Sequence, residues 1–198
     1  PSMQSFSSGG ISRSGSPGSY AYEIRGDRGD WPVNFVSFLD AVRFANWLTN
    51  GKPSGAQTAE TTEDGRYNLT VPPSVTLARD ETAWENGGVA VPTLDEWFKA
   101  AFYDPDSNRY FFYATGTDQD PDAIGPNSSN PNSANYGGFS NVGVPTPVGG
   151  YSSANSPFGT FDQSGNVEEY TEDLTEVGAG NDLSARIMGG YFNGIEAE

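Results

Sequence analysis

Glycine and proline punctuate this chain so densely that long regular elements have nowhere to run. Together, 25 Gly and 14 Pro make up about a fifth of the 198 residues. Glycine opens left-handed backbone, and proline fixes φ and removes an amide donor, so such a chain folds through turns and irregular connections. Only two stretches keep a helical period. From Ser37 to Thr49, the residues Phe38, Ala41, Val42, Ala45 and Leu48 recur at helical spacing, Phe44 widens the stripe, and Trp47 falls on the opposite side. Ser37 with Asp40 resembles a capping box, and Asn50-Gly51 ends the helix. A second helix starts at Thr93, where Thr93 and Glu96 form a capping box ahead of Trp97-Phe98-Lys99-Ala100-Ala101; Asp104-Pro105 stops it.

The remainder reads as short strands and loops of a single domain over residues 1–198, with no internal repeat. Residues 1–19 are a Ser/Gly-rich loop, followed by a short strand over Tyr20–Ile24 and a charged turn, Arg25-Gly26-Asp27-Arg28-Gly29-Asp30. Pro53 to Ser74 is polar and turn-rich, and Tyr110 to Tyr113 is an aromatic strand. Asp118 to Tyr136 lacks periodicity, and a loop of that length is more often functional or held by a ligand than incidental. Hydrophobic residues, at 35%, are few for a folded domain; aromatics, at 13%, offset this because each buries a large area.

The net charge of −16 repels phosphate backbones and anionic bilayers, so neither nucleic acid nor an anionic membrane surface is an expected partner. No apolar run approaches a membrane span. With no Cys and no His, disulfides, zinc sites, Ser-His-Asp triads and Cys nucleophiles are excluded within these residues. Seven carboxylates fall between Asp162 and Asp182, a cluster that suits either a hard cation or a solvated acidic surface. Asp95-Glu96 sits in a helical first turn, where negative charge favours the dipole. Glu172-Asp173 is placed after the last strand, and no nucleophile or partner base stands beside either pair, so glycosidase-like acid/base work is a poor fit.

Five blocks now fall into a recognisable order. They are Pro32 to Leu48, Val91-Pro92-Thr93-Leu94-Asp95-Glu96-Trp97 to Ala101, Thr146-Pro147-Val148-Gly149, Phe158 to Tyr170 (with Gly165-Asn166-Val167-Glu168-Glu169-Tyr170 at its end), and Met188-Gly189-Gly190-Tyr191-Phe192. The series resembles the formylglycine-generating-enzyme, or sulfatase-modifying-factor, family. The resemblance implies an α+β, C-type-lectin-like fold with a small twisted antiparallel sheet, two helices and much irregular loop. It also implies that the domain continues past both ends of the chain. Gly9 to Gly15 resembles a secreted bacterial subgroup, which implies an extracellular or cell-surface location.

Oxidase members of that family carry a copper-binding Cys pair. Counted without a gap from Gly190, the first Cys position falls on Gly194, and the second would lie beyond Glu198. A second branch holds iron through His, which this chain lacks. Copper is therefore not expected, and neither redox chemistry is supported. Calcium transfers better. The resemblance implies one site from Asp162, the Gly165 and Val167 carbonyls and Glu169, and a second from Asn135, the Tyr136 carbonyl and groups near Ser140 to Val142. Glu168 and Tyr170 stand where the family has Trp, Met188 where it has Arg, and Tyr191 where it has Ser, which puts the family's groove in doubt. The expectation is a secreted, non-catalytic, calcium-stabilised module that binds an extracellular protein or glycan or assembles with itself. Its rivals are an oxidase whose Cys pair lies outside these residues and a structural subunit of an extracellular filament or coat.

Overall fold

The computed structural model describes residues 9–70, 77, 79–82, 87–137, 143–177 and 182–194. Backbone contacts divide the chain into two compact units, each assembled from separate stretches. One comprises Pro1–Val36, Glu96–Glu169 and Ile187–Glu198, and the other Ser37–Asp95 and Tyr170–Arg186.

The first unit opens on an antiparallel hairpin, β1 (Ile11–Ser16) and β2 (Ser19–Ile24), joined through Pro17 and Gly18. Gly18 has φ 84°, the backbone that Gly supplies after a turn proline. The expected loop over residues 1–19 is corrected here: Ile11–Ser16 is a strand, because the turn folds weakly strand-forming Ser and Gly residues against β2. Helix α2 (Leu94–Phe102) buries Trp97, Ala101 and Phe102, and these pack with Ala114 and the partly buried Met188 as a small core. Next come β3 (Tyr103–Asp104) and β4 (Arg109–Tyr110), an antiparallel pair of two residues each. The aromatic strand expected over Tyr110 to Tyr113 is thus cut short. Asp118 accepts the Phe112 amide at 3.1 Å and turns the chain away, leaving Phe112 exposed. The segment expected to be structureless holds β5 (Asp122–Ala123) and β6 (Ser133–Ala134), which pair in parallel.

The second unit is built on α1 (Phe38–Thr49). Ser37 caps it with the capping box that its sequence announced: the Asp40 amide donates to Ser37 Oγ, and the Ser37 amide donates to Asp40 Oδ2. Val42, Ala45, Tyr67, Leu77 and Val91 form the core, with Phe38, Ala41, Leu69, Tyr170 and Leu174 packed against it. Phe44 does not widen this stripe: it is 58% exposed and stacks on Trp47 at 5.6 Å between ring centroids. Asn46, fully buried, ties the helix to the chain beyond it. Its Nδ2 donates to the carbonyls of Thr62 and Tyr67, and its Oδ1 accepts the Tyr67 amide at 2.8 Å. The expected polar turn region contains a π-helical turn at Ala59–Glu63, held to α1 by Arg43 Nε donating to Glu63 Oε1 at 2.7 Å.

Two longer strands, β7 (Glu169–Val177) and β8 (Asp182–Met188), pair with each other. Glu172 and Asp173 therefore lie inside β7, not after the last strand as expected. Tyr67 Oη donates to Glu172 Oε2 at 2.8 Å, Arg79 pairs with Glu172 Oε1 at 3.2 Å, and the Leu94 amide donates to Asp173 Oδ2. Both carboxylates are spent on structural bonds. Burial and the Glu172 carboxylate push the Tyr67 hydroxyl far above the usual phenol range, so it stays a donor. Short helices, small two-stranded sheets and much irregular chain make this an α+β fold. Among the described residues, no helix is long and apolar enough to cross a membrane.

Candidate cation site

The stretch from Asp162 to Glu169 takes its shape from three positive φ angles: 63° at Asp162, 109° at Gly165 and 64° at Asn166. Asp and Asn tolerate left-handed backbone better than other side chains, and Gly165 is required for a second reason. Any Cβ there would strike the Asn135 carbonyl oxygen. The Gly165 amide donates to the Gly189 carbonyl, the Asn166 amide to the Asn135 carbonyl at 2.8 Å, and the Phe192 amide to the Asn166 carbonyl at 3.0 Å. Buried Asn166 adds a side-chain tie, its Oδ1 accepting the Thr146 amide at 2.8 Å. Three separate stretches of the first unit, around Asn135, Thr146 and Gly189–Phe192, are thereby fastened to one turn.

On this frame stand two carboxylates with unequal fates. Asp162 Oδ2 accepts the Gly149 amide at 2.7 Å, whereas Oδ1 is sealed from solvent with no hydrogen-bond partner among the described residues. Burial pushes the Asp162 carboxyl above its usual range, and the Gly149 amide opposes that only in part. Glu169 Oε2 accepts Trp97 Nε1 at 2.6 Å. Burial raises its carboxyl too, the Trp97 bond lowers it, and the Asp162 charge raises it again. Among the described residues, neither forms an ion pair.

Asp162 also lines a small polar cavity with Asn135, Tyr151, Thr160, Ser164 and Asn166, of about 10 Å3, room for roughly one water-sized body. Burying an anion without a partner is costly, and a hard cation coordinated by oxygen would remove that cost. Among the described residues, no three acidic side chains converge. A cation held in this cavity would meet the Asp162 carboxylate and draw the rest of its shell from neutral oxygens and water.

Of the other expected positions, Asn135 lines the Asp162 cavity and its carbonyl holds the Asn166 amide. Asn135 is buried, with Nδ2 donating to the Val144 carbonyl at 3.1 Å, and Tyr136 Oη donates to the Pro121 carbonyl. The partners expected for them over 140–142 lie outside the described residues. Glu168 points to solvent. Tyr170, in place of the family Trp, packs edge-on against Phe38 at 5.7 Å in the second unit, and Met188, in place of Arg, joins the Trp97 core. Sequence reasoning missed three contributors. Trp97 was read only as part of the second helix, Gly149 only as part of a turn, and Asn166 only as a motif letter, although a buried-motif Asn between Gly165 and Val167 is a signal for a backbone tie.

No curated protein and no solved structure matches the chain. The family model described as the sulfatase-modifying factor enzyme 1-like domain matches residues 12–194, a span that takes in all five sequence blocks and the Asp162–Glu169 turn. The chain therefore belongs to the sulfatase-modifying factor enzyme 1-like family.

Proposed function

We propose that this chain is a secreted, non-catalytic member of its family, held by calcium and acting as a binding or surface-assembly module. The observation that carries the cation is Asp162 Oδ1, a sealed carboxylate oxygen without a hydrogen-bond partner among the described residues, in a turn that carries a second, partly buried carboxylate at Glu169. In this reading both side chains ligate, with the Gly165 and Val167 carbonyls and water completing the shell. Calcium supplies positive charge to a turn that fastens Asn135, Thr146, Gly189 and Phe192, so its role is to hold the unit together.

Support for a non-catalytic role comes from the sequence. The 198 residues hold neither Cys nor His, the side chains on which the family's copper and iron chemistries depend. A turn that preserves the acids while Met188 and Tyr170 pack into cores fits a scaffold that presents a surface. That surface takes an extracellular protein, a glycan or a second copy as its partner. Isothermal titration of the chelator-treated chain with calcium, paired with melting curves, tests the reading. The expected result is saturable heat near one equivalent and a higher melting temperature; no heat and no shift would sink it.

A further inference from the structure

We infer that strand β2 is a self-assembly edge, along which a second copy of this chain pairs its own β2 in antiparallel register. All six residues of β2 are exposed, and among the described residues only β1 lies beside it. The register Ile11↔Ile24, Arg13↔Tyr22 and Gly15↔Tyr20 puts the large side chains on one face. Arg13 lies over the Tyr20 ring at 4.5 Å, and Tyr20 meets Tyr22 edge-on at 6.5 Å. The opposite face carries Ser12, Ser14, Ser16 and Glu23. The hairpin is thus amphipathic, with its apolar face in solvent: Tyr22 is 62% and Ile24 65% exposed. A groove of about 160 Å3, walled by Ile11, Ile24, Trp31 and Val33, extends that face. A lone two-stranded hairpin is marginal in water, and unpaired edges are normally blunted by Lys, Pro or bulges. Ser19-Tyr20-Ala21-Tyr22-Glu23-Ile24 has none of the first two.

Charge selects the occupant. Residues 9–36 balance Arg13, Arg25 and Arg28 against Glu23, Asp27 and Asp30, so the whole net charge of −16 resides elsewhere. A second copy approaching the rest of the molecule meets like charge; at the hairpin it does not. Register selects the edge. A twofold axis at Tyr22 sets Tyr20 opposite Ile24 and Ala21 opposite Glu23, with no like charges facing, and keeps both apolar faces on one side. The same operation on β1 at Arg13 would oppose two guanidinium groups, and Gly15, at φ 92°, distorts that strand. The inference deepens the assembly half of the proposed function and does not depend on calcium.

The absence of native Cys permits a direct test. Tyr22→Cys places a single thiol on the axis, and Phe112→Cys places one at the 79% exposed ring of the same unit as a control. Under an added mild oxidant, the Tyr22 variant is expected to form disulfide dimers at least about tenfold faster, because docking raises the local thiol concentration. The unmodified chain should sediment as a concentration-dependent dimer below about 100 μM, and Tyr22→Lys as a monomer with an unchanged melting temperature. Equal crosslinking rates, or a monomer throughout, overturn the inference, including the case in which another segment of the same polypeptide occupies β2. Such a failure with a calcium-dependent melting shift intact overturns the interface and leaves the cation reading standing.

Discussion

Trp97 Nε1 donates to Glu169 Oε2 at 2.6 Å, so a core tryptophan orients one of the two partly buried acids of the candidate cation site. Glu169 has no ion pair among the described residues, and this bond is what lowers its carboxyl against burial. Hydrogen bonds to charged groups are worth more than neutral ones. Trp97→Phe keeps a ring against Phe98 and Phe102 but removes the donor. The expected loss is about 1.5–3 kcal/mol in urea unfolding. A loss below about 0.5 kcal/mol, the usual size of a neutral surface change, would mean that Glu169 is already satisfied by solvent.

Asp162→Asn separates charge from shape. The amide is nearly isosteric and can still accept the Gly149 amide, but it removes the anion whose Oδ1 has no partner among the described residues. In chelator, the variant should equal or exceed the native chain in melting temperature, because an unpaired buried charge is gone. In excess calcium the order should reverse, with the native chain rising and the variant unmoved. A variant that is less stable under both conditions by the same amount would assign Asp162 a purely structural role.

Asn46 offers a test in the second unit that no metal touches. It is fully buried and serves the Tyr67 amide, the Tyr67 carbonyl and the Thr62 carbonyl. Asn46→Ala strands these buried backbone groups, and each orphan costs about 1–3 kcal/mol. The expected outcome is a loss of at least about 2 kcal/mol and faster hydrogen exchange at the Tyr67 amide. Asn46→Leu should do no better, since volume without polarity does not answer the deficit. Retained protection at Tyr67 would show that another group replaces Asn46.

How much of this was legible in advance depended on the reach of each interaction. α1 and its cap could be read because Ser37, Asp40 and the 3.6-residue stripe act within one or two turns. β1 could not, since Ile11–Ser16 has the composition of a loop and becomes a strand only through pairing with β2. Glu172 and Asp173 were misplaced for a similar reason: their polarity hides a strand whose acids are answered by Tyr67 and Leu94, far away in sequence. At the candidate site, the residue types and spacing from Asp162 to Glu169 were visible, and the family match spans them. Not visible was the unequal treatment of Asp162's two oxygens, which depends on the Gly149 amide thirteen residues earlier. Phe44 fell outside the core because stacking on Trp47 satisfied it on the helix surface.

The ion pair between α1 and the π-helical turn makes the second unit acid-sensitive with a definite sign. Arg43 donates from Nε to Glu63 Oε1 at 2.7 Å and from Nη2 to Oε2 at 3.3 Å, the two-pronged geometry that suits guanidinium and carboxylate. The Arg43 hydrogen bond holds the Glu63 carboxyl below its usual range, against the opposing effect of burial. A carboxylate with a depressed folded pKa contributes stability above the unfolded value of about 4.3 and loses it as pH falls through the folded value. Because both side chains are partly exposed, the contribution is about 0.5–1 kcal/mol, not the value of a buried pair. Glu63→Gln should therefore lower the unfolding free energy at pH 7 by that amount. The gap between variant and native chain should narrow steadily on acidification and close below the folded pKa. Added salt should shrink it at pH 7, as screening predicts for a pair near the surface. A gap that stays constant with pH would show that Glu63 stabilises the turn through packing and the Thr62 contact alone.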